Sequence, residues 1–355
     1  MNSVPAAPDS PNPALAQALA TLARGDRLGE DLVAAAFGQL MTGEAQPSQA
    51  AALLMGLRVQ GETGVELAGA ARALRAAMHR VELPAGTAAI DTAGTGGGAV
   101  GTFNLSTAAA LVAAGAGVPV AKHGNRSFTS RCGSADVLEA LGVDLTQSAD
   151  RAARILARAG MVFLFAPAFH PAMRHVAPVR RELGVPTVMN LVGPLANPAG
   201  VLRQVVGVAD RARVAVVADA LRRLGAEHAL VVHGTAGLDE IAPSGPTVVC
   251  EVRDGDIRSW TIDPAAYRLE HADLDSLRGG DPGANAERIV RLFEAPERDP
   301  GGRAAVILNA GAALYVAGSA SLAEGLDRAA TALHEGGAAA ALAALRREGR
   351  VSISE

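Results

Sequence analysis

The spacing of the apolar residues changes near residue 85, and this change limits the possible folds more than any other feature. From Pro13 to about Arg80 apolar residues recur at helical spacing, as in ALAQALATLARG and VELAGAARALRAAM. From Ala88 onward short β-rich runs alternate with helical segments; the runs are TAAIDTAG, GVPVAKHG, MVFLFAP, VVGVA and HALVVHG. Such alternation is typical of a parallel sheet flanked by helices.

The predicted fold class is therefore α/β, with a small helical N-terminal domain and a larger domain built on a mostly parallel central sheet flanked by helices. The predicted domain limits are 13–84 and 85–355, and residues 1–12, rich in proline and serine, are expected to form a flexible tail. Two local features are predicted as well. Thr63 and Glu66 have the spacing of a capping box before a helix, and PTVVCEVRDGDIRSWTI (246–262) predicts an antiparallel hairpin turning at Asp-Gly.

Composition and charge argue against several classes of function. The net charge is −4 with both signs interspersed, so no basic surface favours nucleic acid as a partner. Cys132 and Cys250 are the only cysteines and lie far apart, which argues against a disulfide framework or zinc site and favours a reducing cytoplasm. The chain begins without the pattern of a signal peptide. Its most apolar windows are interrupted by Gly, Ser, Thr and Pro, so no membrane span is expected.

The stretch DTAGTGGGAVGTFNLSTAAA (91–110) places five glycines between a predicted strand and a helix expected to begin near Leu105. Bare backbone N–H groups and a helix N-terminus at the carboxyl end of a strand favour an anion such as phosphate. The stretch lacks the GK[ST] of a Walker loop and is not a clean GxGxxG. Glycine turns also serve tight packing alone, so this loop by itself leaves both interpretations open.

A second polar loop, KHGNRSFTSRCGSAD (122–136), follows the next strand and changes that balance. It gathers side chains that can donate to an anion, among which lysine and arginine form the strong charge-assisted bonds; they are Lys122, His123, Asn125, Arg126, Ser127, Thr129, Ser130 and Ser134. Taken singly, Lys122 or His123 is more often a solvated or core-satisfied side chain. Two such loops at successive strand ends predict a polyphosphate ligand.

With that spacing the chain resembles the anthranilate phosphoribosyltransferase family. The family motifs GTGGD, TFNxST and KHGNRxxSSxxGSADxLExLG stand here as GTGGG, TFNLST and KHGNRSFTSRCGSADVLEALG. The resemblance continues through FLFAPAFHPAMRHVAPVRRELG, NLVGPLANP and HGTAGLDEI and covers about residues 40 to 345. It implies that residues near 165–187 return to the helical domain and that the protein is a homodimer joined through that domain.

The resemblance implies the residues of each site. Those expected to bind 5-phosphoribosyl 1-diphosphate supply N–H groups, hydroxyls and two cations, and are Gly94, Gly97, Gly98, Thr102, Asn104, Leu105, Ser106, Thr107, Lys122, His123, Gly124, Asn125, Arg126, Ser127, Phe128, Thr129, Ser130 and Ser134. Those expected around anthranilate are Gly94, Asn125, Arg180, His123 and His170. Ser106, Asp239 and Glu240 match the magnesium ligands, and Mg²⁺ commonly takes one or two carboxylates together with substrate phosphates.

The implied reaction is attack of the anthranilate amine on the anomeric carbon of the ribosyl group while diphosphate leaves. Lys122 and Arg126 are the expected catalytic residues, because with Mg²⁺ they neutralise the departing diphosphate. Arg180 and Asn125 align the amine, with the arginine fork holding the anthranilate carboxylate. An aryl amine is uncharged at neutral pH, so no general base is assigned. Without the family context, Asp239 and Glu240 would be interpreted as a solvated turn, and His170 fits a core or surface role as well.

Four positions depart from the family pattern. Gly98 stands in place of a carboxylate beside the expected metal and diphosphate, which predicts weaker or altered magnesium dependence. Thr129 replaces a serine, and Pro186 and Met189 stand where arginine and phenylalanine are common in the family. Alternative functions are phosphoribosyl transfer to another aromatic acceptor and a non-catalytic ligand-binding role. A pyrimidine-nucleoside phosphorylase, which shares the fold, is disfavoured by the HGNR and GSAD segments.

Overall fold

The computed structural model describes residues 13–127 and 131–350. The first four helices are α1 Pro13–Ala23, α2 Glu30–Thr42, α3 Pro47–Gln60 and α4 Gly64–Ala76. At the start of α4, Glu66 N donates to Thr63 Oγ1 (3.3 Å) and Thr63 N donates to Glu66 Oε2 (2.8 Å), which confirms the predicted capping box. The expected tail lies outside the described residues.

The remaining strands and helices alternate along the chain. The strands are β1 Ile90–Gly94, β2 Val120–Gly124, β3 Met161–Phe165, β4 Arg203–Gly207, β5 His228–Gly234, β6 Thr247–Arg253 and β7 Asp256–Ile262. The helices are α5 Leu105–Gly115, α6 Ser134–Ala140, α7 Ala149–Ala159, α8 Ala166–Phe169, α9 Ala177–Leu183, α10 Val188–Val192, α11 Val214–Arg223, α12 Pro282–Glu294, α13 Pro300–Ala317, α14 Leu322–His334 and α15 Gly337–Arg350. No helix in the described part of the chain is long and apolar enough to cross a membrane.

All seven strands form one sheet in the order β3-β2-β1-β4-β5-β6-β7. The first five strands in that order are parallel, and β6 and β7 complete the sheet as an antiparallel hairpin, as predicted. Asp254 and Gly255 form its turn with φ of 51° and 87°. Both residues of a type I′ turn need positive φ, which explains why Asp-Gly stands there. The sheet and its helical partner domain confirm the predicted fold class.

Each face of the sheet packs against its own set of helices. Val205 and Leu230 belong to a core shared with α5, α7 and α12 to α15, whereas the next residues, Val206 and Val231, belong to a core shared with α1 to α4 and α11. This alternation follows from the period of two along a strand. Val179 of α9 also lies in the second core. The domain limits near residue 85 and the return at 165–187 stay predictions.

Candidate active site

The two predicted anion loops meet where the order of strands in the sheet reverses. The chain leaves β1 for β2 on one side, whereas β4 leads to β5 on the other, so a crevice opens beyond the carboxyl ends of β1 and β4. Gly94 and Gly207 are paired at those ends. The glycine loop begins at Gly94, and the N-terminus of α5 follows it, so the crevice has the features of an anion site.

The glycine loop needs its glycines for two different reasons. Gly96 and Gly97 have φ of 67° and 85°, in the left-handed region that side chains disfavour. Gly98 instead lies against Asp239: a Cβ built there would be 2.6 Å from Asp239 Oδ1. Gly94, Gly96 and Gly97 are exposed, so their backbone is accessible to a ligand.

The loop after β5 brings Asp239 and Glu240 across the end of β4 to the start of α5. Glu240 accepts hydrogen bonds from Thr102 Oγ1 (2.8 Å) and Ser106 N (2.9 Å). The loop passes so close to Gly207 that a Cβ there would lie 1.7 Å from the Asp239 carbonyl oxygen. Glu240 thus bonds to two predicted residues that precede it by 138 and 134 positions, and Gly207, which no sequence pattern indicated, permits this.

These two carboxylates create an unfavourable concentration of buried negative charge. Burial, and then the charge of Asp239, raise the pKa of Glu240 to about 8, and burial raises the pKa of Asp239. A cavity of about 40 Å³ lies between them and Ser106, with room for roughly two or three waters or an ion. Two hard carboxylates and a hydroxyl beside a phosphate site fit Mg²⁺. Within the described residues no cluster of three His, Cys, Asp or Glu could hold a metal by itself.

Lys122 lies under the N-terminus of α5 and is buried. Its Nζ donates to the carbonyl of Thr92 and lies 3.3 Å from Ser106 Oγ. Burial lowers the pKa of Lys122, and the charges of Asp91 and Glu240 oppose that shift. The lysine therefore places a cation below Ser106, where an anion at the helix N-terminus would meet it.

The start of α5 is held in an unusual conformation by a distant residue. Asn104 precedes the helix with φ 66° and ψ 49°, and its Oδ1 accepts a hydrogen bond from Asn285 Nδ2 (2.8 Å). Leu105 and Thr107 are fully buried. Only their backbone could contact a ligand, whereas Ser106 is half-buried beside the cavity. No motif in the sequence pointed to Asn285.

The loop after β2 is organised by the start of α6. Asp136 accepts from the backbone N of Gly133 (2.8 Å) and Ser127 (3.3 Å), and Ser134 Oγ donates to the Asn125 carbonyl (3.3 Å). Gly124 is required here, because a Cβ would lie 2.3 Å from Ser134 Oγ. The loop backbone is therefore fixed by the GSAD segment. The predicted residues Phe128, Thr129 and Ser130 lie outside the described residues.

Arg126 is exposed and forms ion pairs in this structure. Its guanidinium contacts Asp136 Oδ1 at 2.9 Å and Glu139 Oε2 at 2.5 Å, and lies 5.6 Å from the ring centre of Phe165. Exposed ion pairs contribute little to stability. To bind the guanidinium of Arg126, a diphosphate would have to replace these two carboxylates, and losing the two exposed ion pairs would cost little free energy.

Two histidines on the other side of β2 form a buried neutral pair. His123 Nδ1 lies 3.2 Å from the Gly193 carbonyl, and His123 Nε2 lies 3.2 Å from His170 Nε2. Because the Gly193 carbonyl can only accept a hydrogen bond, the proton of His123 is on Nδ1. His123 Nε2 then accepts a hydrogen bond from Nε2 of His170. Burial lowers the pKa of His123 to about 3 and the pKa of His170 to about 4. The pair is therefore an uncharged wall at neutral pH.

Arg180 lies on α9 and is half-buried. Burial lowers the pKa of its guanidinium, yet no described residue forms a hydrogen bond or ion pair with that group. Its neighbour Arg181 is exposed. Pro186 is exposed too, whereas Met189 is buried in the helical core. A partly desolvated arginine fork with no protein partner in the described part of the chain is suited to a carboxylate ligand.

The chain matches two family descriptions over most of its length. Residues 16–78 match "Glycosyl transferase family, helical bundle domain" and residues 86–339 match "Glycosyl transferase family, a/b domain". The anthranilate phosphoribosyltransferase of Rubrobacter xylanophilus is 51% identical over 339 residues, which are 95% of this chain and 97% of that protein.

Solved structures agree. The anthranilate phosphoribosyltransferase of Thermus thermophilus superposes with a TM-score of 0.88 at 45% identity, covering 94% of this chain and 99% of that one. The enzyme from Saccharomyces cerevisiae, in complex with PRPP and Mg, superposes with a TM-score of 0.85 at 26% identity, covering 95% of this chain and 98% of that one.

Proposed function

The chain belongs to the anthranilate phosphoribosyltransferase family, and from this premise we propose how its residues carry out the reaction. The protein transfers the phosphoribosyl group of 5-phosphoribosyl 1-diphosphate to the amine of anthranilate, giving N-(5-phosphoribosyl)anthranilate and diphosphate. This is the second step of tryptophan biosynthesis from chorismate. The roles of individual residues, the metal and the assembly are the proposal.

The donor binds at the crevice between β1 and β4. The exposed backbone of the glycine loop and the N-terminus of α5 receive its phosphates, and Lys122 supplies a buried cation beneath them. Arg126 exchanges its carboxylate partners for the diphosphate. Charge builds on the leaving group in the transition state, so cations placed beforehand lower the barrier.

Ser106, Asp239 and Glu240 would hold Mg²⁺. The support is the pair of buried carboxylates, whose raised pKa values mark a site that favours a cation, and the Mg seen with PRPP in the yeast relative. When bound, Mg²⁺ neutralises negative charge on the diphosphate. In this chain Glu240 already holds Ser106 and Thr102 in place through hydrogen bonds of 2.9 and 2.8 Å.

The proposed acceptor site rests on one observation. The guanidinium of Arg180 is half-buried and has no hydrogen-bonding or ion-pair partner among the described residues. Its guanidinium binds the carboxylate of anthranilate, and the neutral pair of His123 and His170 forms an uncharged wall for the aromatic ring. Because the aryl amine is neutral, alignment against the anomeric carbon is the main requirement of this side.

Assembly and location complete the proposal. We propose a homodimer joined through the helical domain, since Val59 of α3 is 80% exposed, more than any other large apolar side chain in the described residues. A Val59→Asp variant should sediment as a monomer at concentrations where the unchanged protein is a dimer; identical sedimentation would contradict this interface. The protein is proposed to act in the cytoplasm, which fractionation of cells would test.

The first experiment follows anthranilate fluorescence with purified protein, 5-phosphoribosyl 1-diphosphate and Mg²⁺, leaving out one component at a time. Arg180→Ala should raise the KM for anthranilate roughly 10- to 100-fold, because a hydrogen bond to a charged group is worth about 1.5–3 kcal/mol. Arg181→Ala is the matched control and should stay near the unchanged value. Equal KM values for both variants would refute the acceptor site, and fluorescence loss only with another aromatic amine would assign a different acceptor.

A further inference from the structure

Asp91, the second residue of β1, is a fully buried carboxylate whose one effect described so far is to favour the charged form of Lys122. Its Oδ1 accepts a hydrogen bond from the backbone N of His123 (3.2 Å), and its Oδ2 accepts from Asn197 Nδ2 (2.8 Å). Both carboxylate oxygens are thus used by donors on other segments of the chain. An aspartate inside a strand that packs on both faces is costly to bury unless such donors compensate it.

Asn197 links this carboxylate to the segment that faces His123. Its Nδ2 also donates to the Ala121 carbonyl (2.8 Å), and its Oδ1 accepts from Ala199 N (2.8 Å). Four residues earlier, the Gly193 carbonyl lies 3.2 Å from His123 Nδ1. Asp91 therefore holds His123 twice, directly through its backbone and indirectly through the segment that orients its ring.

The same segment is tied to the helical domain. Arg75 Nε of α4 donates to the Leu195 carbonyl (2.7 Å), and Val81 N donates to the Pro198 carbonyl (3.0 Å). The bonds at Asn197 lie between these two points. A shift at Asp91 would thus displace a segment that is anchored on both sides of Asn197, and His123 and His170 are the part of the site that lies against this segment.

We propose that Asp91 and Asn197 form a positioning pair that sets the acceptor side of the site by fixing His123 against Gly193. The inference rests on the proposed acceptor site, in which His123 and His170 form the wall. Neither Asp91 nor Asn197 contacts the substrates in this scheme. Their hydrogen bonds act through the backbone of β2 and the segment around Gly193, so losing these bonds should weaken anthranilate binding. The charge of Asp91 acts separately, on Lys122 of the donor site.

The chemistry of the pair requires a carboxylate at position 91. Two donors converge on it, and an asparagine of the same shape offers one acceptor and one donor. Whichever way that amide is turned, one N–H faces another N–H in a buried site, which carries the full cost of an unmatched donor. Asp91→Asn therefore breaks one of the two bonds with almost no change in volume.

The test compares Asp91→Asn with Glu251→Gln. Glu251 is a buried carboxylate at the other end of the sheet, where it accepts from His228, Trp260 and Tyr315 at 2.8 to 3.0 Å. Both variants should lower Tm. Only Asp91→Asn should raise the KM for anthranilate, by about 10-fold or more. Because this variant also removes a charge that supports protonated Lys122, donor affinity is measured in Asn197→Ala, which keeps the Asp91 charge and should change the Kd for 5-phosphoribosyl 1-diphosphate less than about 3-fold.

Several outcomes would overturn the inference. One is a KM for anthranilate in Asp91→Asn that matches Glu251→Gln, and another is a loss confined to donor affinity. Arg180→Ala, measured alongside, separates failure of the acceptor site from failure of the positioning pair. If Arg180→Ala leaves the KM for anthranilate unchanged, the proposed acceptor site is wrong. If Arg180→Ala raises this KM and Asp91→Asn does not, only the positioning pair is rejected. Should Asp91→Asn not fold, Asn197→Ala removes the bond between Asp91 and Asn197 from the other side and must also raise the KM for anthranilate.

Discussion

Replacing Gly207 by alanine should disable the acidic loop, because the backbone of that loop occupies the space that a side chain at Gly207 would fill. A Cβ on Gly207 would lie 1.7 Å from the Asp239 carbonyl oxygen and 2.7 Å from its carbonyl carbon, and both atoms belong to the backbone. Ordinary contact begins at 3.4 Å, so the loop would have to retreat by about 1.7 Å. The φ of Gly207 lies outside the left-handed region, so alanine is not excluded by backbone conformation and the clash is the whole effect.

That retreat exceeds what the hydrogen bonds of Glu240 tolerate. The bonds from Thr102 and Ser106 measure 2.8 and 2.9 Å, and a displacement of this size breaks both. Losing two hydrogen bonds should lower the free energy of unfolding by about 1–3 kcal/mol. Displacing the proposed metal ligands by more than about 1 Å should reduce kcat/KM by roughly 100-fold.

The assay combines thermal unfolding, followed by circular dichroism, with the anthranilate fluorescence assay. Gly38→Ala is the matched control, since Gly38 lies inside α2 with nothing within 4 Å of a built Cβ. The same chemical change there should raise stability by roughly 0.5–1 kcal/mol and leave activity intact. If Gly207→Ala keeps its Tm and loses less than about 3-fold in kcat/KM, the close approach of the two loops is not the constraint inferred from the structure.

Two further predictions concern charge. Gly98→Asp should shift the Mg²⁺ concentration that gives half-maximal activity. Gly98→Ala adds the same Cβ beside Asp239 without a charge and should shift that concentration less. Equal magnesium responses in the two variants would contradict the role assigned to Gly98. The pKa values of His123 and His170 in the folded protein are about 3 and 4. As pH falls below about 6.5, these histidines are therefore protonated in the unfolded state before they are protonated in the folded state. Their contribution to stability is present above pH 6.5 and is lost towards pH 4. Urea unfolding from pH 7 to 4 should show this loss, less steeply in His170→Gln; parallel curves for the two proteins would contradict it.

Local patterns are sufficient for the secondary structure and for much of the site. The strands ending at Gly94 and Gly124 are predictable because apolar runs bounded by glycine are a property of neighbouring residues. The capping box at Thr63 and the Asp-Gly hairpin turn are predictable for the same reason. In each, the hydrogen bonds or dihedral angles that are needed depend only on residues within four positions of one another. Residues that the family motifs place at strand ends are indicated by their motif alone.

The residues missed by sequence reasoning act through partners distant along the chain. Asp91 and Asn197 are 106 positions apart, and Asn104 and Asn285 are 181 apart. Gly207 stands in VVGVA, where nothing nearby requires a glycine. A weak signal existed for Asp91, a charged residue inside an apolar strand, but its partner could not be named. Likewise the ion pairs of Arg126 with Asp136 and Glu139 depend on how α6 packs beside the loop.

Periodicity and residue chemistry are enough to establish the alternation of strands and helices, the glycine loop and the types of side chain available for an anion. Which of those side chains meet depends on the packed fold. Glu240 reaches Ser106 because only β4 separates β1 from β5 in the sheet, and no spacing along the chain encodes that arrangement. Strand order is set by how two layers of helices bury both faces of the sheet, and this is a property of the whole molecule rather than of any one segment.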